Sequence, residues 1–73
     1  MKEEKNVLMG SFGFEAQDKV FRFNVWKEEQ KYYFPYQRNE AQEWILQLMS
    51  CFREKTTFSF RYNEKTKEVI ELW

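Results

Sequence analysis

The chain has 73 residues, with 8 Phe, 4 Tyr and 3 Trp, 12 Lys plus Arg against 12 Asp plus Glu, and no His. At 9.2 kDa, the size-area relation predicts about 4,900 Å² exposed when folded against about 13,300 Å² unfolded, and large rings fill the resulting small core with few residues. These figures exclude two domains, so a single domain over residues 1–73 is expected.

The missing histidine removes the commonest general base and metal ligand, and with it Ser-His-Asp catalysis, Cys-His catalysis and Cys/His zinc sites. Cys51 is the sole cysteine, so no intramolecular disulfide forms and a reducing cytoplasm is the expected compartment. No apolar run is long enough for a membrane span, and the charged start Met1–Lys5 lacks the apolar stretch of a signal peptide. A soluble, unprocessed chain with a flexible N-terminus over residues 1–5 is expected. Zero net charge argues against a global positive field for nucleic acid. Locally, residues 19–38 carry +3 and residues 55–73 carry +1, while residues 1–18 and 39–54 carry −2 each.

In chain order, Asn6–Phe14 (N-V-L-M-G-S-F-G-F) suits a pleated strand, bent or bulged near Gly10. After the polar loop Glu15–Lys19, residues 19–27 alternate, with Phe21, Phe23 and Val25 on one face and Arg22, Asn24 and Trp26 on the other. A second polar connection, Lys27–Lys31, leads to Tyr32–Tyr36, where Pro35 implies a short strand at an edge. Asn39 is the expected N-cap of a helix over 40–54, with Glu40 in its first turn and Arg53 and Lys55 at its far end. Ala41, Ile45, Leu48, Met49 and Phe52 recur at helical spacing and define its apolar face, with Trp44 and Leu46 on the shoulders. Thr56–Tyr62 alternates again, with Phe58 and Phe60 opposite Ser59 and Arg61. A turn over Asn63–Lys67 precedes a last strand over 68–73.

This β-β-β-α-β-β order resembles the OB-fold, a five-stranded barrel with a helix between its third and fourth strands and a bent long first strand, where Gly10 would stand. The resemblance covers nearly the whole chain as an order of elements, without a family signature. An open α+β sheet of order β-β-α-β-β, with the helix packed on one face, is the alternative. The resemblance implies oligonucleotides or oligosaccharides on the outside of strands two and three. Arg22, Asn24, Trp26 and Tyr33 would line that face, with Lys31 close by.

Other motifs favour structural roles. Gly10-Ser11-Phe12-Gly13 spells a G-x-x-G but lies in a strand and lacks a basic residue, so a bend is expected rather than a nucleic-acid clamp. Ser11 has no histidine to activate it, and the acidic pairs Glu28/Glu29, Glu15/Asp18 and Glu64/Glu68 lie in or beside turns. Cys51 reads as an inert, half-buried thiol on the edge of the helix face. No enzyme activity and no cofactor are expected.

Two functions follow as expectations. The first is a non-catalytic single-stranded nucleic-acid binder, or a subunit of a nucleic-acid-handling complex, in which rings stack on bases and cations meet phosphates. The second is a protein-binding module, a small inhibitor, adaptor or accessory subunit, that docks through an exposed strand edge or aromatic patch; homodimerisation by edge pairing is one version. The candidate residues are Arg22, Asn24, Trp26, Lys31, Tyr33, Arg61 and Trp73, with Trp73 either tucked against the body or offered to a partner. The nucleic-acid reading requires Arg22, Trp26, Tyr33 and Arg61 to converge.

Overall fold

Two bulges shape the N-terminal segment of the computed structural model, which describes residues 1–73. Strand β1 (Lys2–Val7) and strand β2 (Met9–Glu15) are separated only by Leu8. In β1 the pairing skips from Glu4↔Phe60 to Val7↔Phe58, with Asn6 left-handed at φ 54°. In β2 it skips from Met9↔Val25 to Phe12↔Phe23, so Gly10 and Ser11 form the bulge. An extra residue bends a strand and raises its twist. The segment therefore leaves one sheet and enters another. Lys2–Lys5, expected to be flexible, instead belong to β1, because their backbone pairs with the late strand β5.

The remaining elements are β3 (Val20–Val25), β4 (Lys31–Pro35), α1 (Ala41–Glu54), β5 (Phe58–Tyr62) and β6 (Val69–Leu72). They form two three-stranded antiparallel sheets, β1-β5-β6 and β2-β3-β4. The fold is mainly β with one helix, and the expected closed barrel is not formed. One parallel bridge, Tyr33↔Glu68, and one bond from the Tyr33 amide to the Lys67 carbonyl (3.2 Å) link β4 to the segment before β6. The turn before β6 delays that strand to Val69, which leaves too little of it beside β4 for a ladder.

Alternation decides which side of each sheet is buried. Phe21, Phe23, Phe34, Phe60, Leu48 and Val69 are fully buried. Rings from the two sheets meet edge to face: Phe23 on Phe60 at 5.4 Å and Tyr32 on Phe60 at 4.8 Å between centroids. The total accessible area is 5045 Å², close to the size expectation.

Helix α1 closes one end of this core through Ala41, Trp44, Leu48 and Cys51, with Ile45 partly buried. Its apolar face is thus rotated from the expected one. Trp44 stands in the seam because it packs edge-on against Phe34 at 5.1 Å, whereas Phe52 and Leu46 are exposed. The N-cap is Glu40 rather than Asn39, without a side-chain capping bond. The C-terminal end is closed by Lys55, left-handed at φ 58°, whose amide donates to the Cys51 carbonyl.

Candidate binding surfaces

The register of the β2-β3-β4 sheet places Gly13, Arg22 and Tyr33 in one row and Asn24 beside Lys31 in the next. Arg22, Asn24, Lys31 and Tyr33 therefore share the outer face, and the first three border a shallow depression of about 170 Å³. Two of the four are already engaged. Both the Nε and a terminal nitrogen of Arg22 donate to the Glu15 carboxylate, and its guanidinium lies 5.4 Å from the Tyr33 ring centroid. That hydrogen-bonded pairing holds the Glu15 carboxyl below its usual range and raises Arg22. The charge of Arg22 is answered within the fold.

The Asn24 amide is likewise occupied. Its Oδ1 accepts from the Ser11 amide at 2.8 Å and from the Ser11 hydroxyl at 2.6 Å, while its Nδ2 donates to the carbonyls of Glu28 (2.8 Å) and Val25 (3.2 Å). One side chain thereby ties the β2 bulge to the turn after β3. Lys31 and Tyr33 are the two residues of this face not committed to a hydrogen bond or ion pair by their side chains.

Trp26 lies elsewhere. Its backbone amide donates to the Leu8 carbonyl at 2.8 Å, which fixes it beside the β1–β2 junction, and its ring is 56% exposed. It forms one wall of a groove of about 500 Å³ lined by Leu8, Met9, Gly10, Cys51 and Phe52, with Arg53 and Lys55 at the helix end. No carboxylate lines it. Cys51 is buried at this wall, and its thiol donates to the Thr57 carbonyl at 3.7 Å. Phe52, 46% exposed, meets Phe12 edge-on at 5.3 Å. Phe14, 55% exposed, extends the apolar surface past Phe12 towards Tyr36.

Arg61 and Trp73 belong to the other sheet. Arg61 stands between Glu3 (3.4 Å) and Glu71 (3.3 Å), its cross-strand neighbours. Trp73 exchanges two backbone bonds with Ser59, each 2.8 Å, so its main chain prolongs β6 while its ring is 47% exposed. Arg22 and Tyr33 meet; Trp26 and Arg61 join neither them nor each other. Sequence reasoning placed Phe52 in the core and did not single out Leu8, Phe12 or Phe14. Their alternation and helical spacing mark an apolar face but do not say whether anything covers it.

No helix is long and apolar enough to cross a membrane. The chain matches no family model, and no curated protein or solved structure is significantly similar to it.

Proposed function

We propose that this chain is a non-catalytic protein-binding module whose Trp26 groove receives an apolar side chain from a partner segment carrying acidic residues. The observation that supports this reading most is the combination of Trp26, Leu8 and Phe52, three large exposed side chains, around one concavity. On roughly 200 Å² for a whole aromatic side chain, Trp26, Phe52, Phe12 and Phe14 leave about 400 Å² of apolar surface in water, to which Leu8 adds, a size at which the largest apolar patch of a small protein is often functional. Aromatic anchors in pockets dominate protein interfaces. The groove's charged residues are Arg53, which lies 4.0 Å from the Glu54 carboxylate, and Lys55, which has no ion-pair partner and is the cation that steers acidic partners towards it.

The test uses synthetic peptides with one Leu, Phe or Trp analogue flanked by glutamates, and the same peptides with lysines instead. Binding of the acidic set is read as a blue shift of Trp26 emission, lost on Trp26→Ala. Equal binding of both sets rejects the charge preference, and no binding of either rejects the reading.

A second reading retains single-stranded nucleic acid on the outer face of β3 and β4. Tyr33 and Lys31 support it as a stacking ring and a cation, and the Tyr33↔Glu68 bridge, which couples the two sheets in parallel, supports an OB-like arrangement around them. Anisotropy of a labelled 20-mer in low salt, with Tyr33→Ala as control, decides it. No change on adding protein rejects it.

A further inference from the structure

Strand β2 is an edge strand, paired only with β3, and its stretch Ser11–Phe14 is exposed throughout. Edge strands are normally guarded by charge, proline or a covering element, because their free backbone groups pair with other chains. In β2 the bulge is confined to Gly10–Ser11 and the one charge is Glu15 at its end, so Phe12-Gly13-Phe14 carries neither charge, proline nor bulge. Gly13 is equally unexplained by the fold. A glycine inside a strand weakens it and marks close approach of another group, yet a Cβ at Gly13 would meet nothing within 4 Å and its φ is not left-handed.

We infer that β2 pairs antiparallel with β2 of a second copy about a twofold axis at Gly13, forming a homodimer through a continuous six-stranded sheet. The segment Phe12-Gly13-Phe14 is symmetric about that axis. Phe12 of each copy stands opposite Phe14 of the other, which gives two cross-strand aromatic pairs. Gly13 faces Gly13, and Ser11 faces Glu15, so no like charges oppose each other. A chain with equal numbers of positive and negative side chains adds no general repulsion between copies. The exposed parts of Phe12, Phe14 and Phe52 come to about 300 Å² per copy, below the roughly 800 Å² per partner of a standard interface. Backbone pairing supplies the rest, so the dimer belongs to the weak, concentration-dependent class. The Trp26 groove opens beyond the far end of β2 and shares Phe52 with this contact, whereas Trp26 itself lies outside it.

Sedimentation velocity across a concentration series tests the dimer on the whole chain. The expected result is a monomer-dimer equilibrium for the unmodified protein. Gly13→Lys and Gly13→Glu, which the open space at Gly13 accommodates, each raise the dissociation constant at least about tenfold, and an equimolar mixture of the two restores dimer. Circular dichroism checks that both variants fold, and Trp26→Ala leaves the equilibrium unchanged. A protein that is monomeric at millimolar concentration overturns the proposal. So does a dimer that survives both charged variants, or one abolished by Trp26→Ala.

Discussion

A Cβ added at Gly10 would stand 2.8 Å from Nδ2 of Asn24, closer than such atoms approach one another. Asn24 cannot swing away without releasing its bonds to Ser11, Val25 and Glu28. Gly10→Ala is therefore expected to destabilise by about 1 to 3 kcal/mol, the cost of leaving such polar groups unpaired. In an Asn24→Ala background the same change should cost far less, so a double-mutant cycle by urea denaturation reads out the coupling. Additive costs would show that the bulge tolerates a side chain.

Arg38 is held by four neighbours. It donates to the Val69 carbonyl at 3.1 Å, lies 4.6 Å from the Trp44 ring centroid, pairs with Glu40 at 3.3 Å and reaches Glu68 at 4.0 Å. It thus joins the helix start to β6. Arg38→Ala should cost about 1 to 2 kcal/mol, and Arg38→Lys should recover less than half, because an ammonium cannot stack flat and fork at once. Thermal unfolding of the two variants checks this ranking; full rescue by lysine would leave only charge as the cause.

Glu4 gives a pH dependence. Partial burial, with the nearby Glu28 carboxylate as the lesser cause, raises its carboxyl above the usual 4.5. The folded state therefore binds this proton more tightly than the unfolded state does. The stabilisation by the protonated form is fully present below the unfolded value and is lost as pH rises through the raised folded value. Glu4→Gln is expected to raise stability at neutral pH and to have no such benefit at pH below about 4. Glu15 runs the other way: its lowered carboxyl stabilises above 4.5 and loses that contribution as pH falls through the folded value. Urea titrations across this range on Glu4→Gln and Glu15→Gln should show opposite slopes; parallel curves would refute the assignment.

Lys55 joins stability to the groove. A left-handed lysine at a helix end is strained where glycine is not, so Lys55→Gly should stabilise by about 1 kcal/mol. The same change removes a cation from the groove rim. Denaturation midpoint and affinity for the glutamate-flanked peptides should therefore move in opposite directions, as expected where a binding residue is kept at a cost in stability. Affinity that holds while stability rises would remove Lys55 from the binding surface.

Much of the fold was legible where period two is unbroken. Phe21, Phe23 and Val25, and again Phe58, Phe60 and Tyr62, are buried as their alternation implies. The same alternation put Arg22 and Asn24 outward, where they are found. What alternation cannot convey is cover. Phe12 and Phe14 share the inner face with Phe21 and Phe23 through their register, but the helix reaches only as far as Phe52 and leaves both exposed. The loss of Arg22 as a free cation was equally hidden, since Glu15, expected in the loop, instead ends β2 and sits diagonally across the hairpin from Arg22. The pairing of the first residues was not legible because the partner of Lys2, Tyr62, lies sixty positions along the sequence.

That last pairing governs the order in which the molecule assembles. The β2-β3-β4 meander needs only short loops, whereas joining β1 to β5 closes nearly the whole chain, and long closures are entropically slow. The hairpins and helix should therefore form first, with β1 locking onto β5 as the final step. Substitutions in β1 would then accelerate unfolding with little effect on the refolding rate. The strand that ties the N-terminal segment to the second sheet is thus also the latch by which the domain opens.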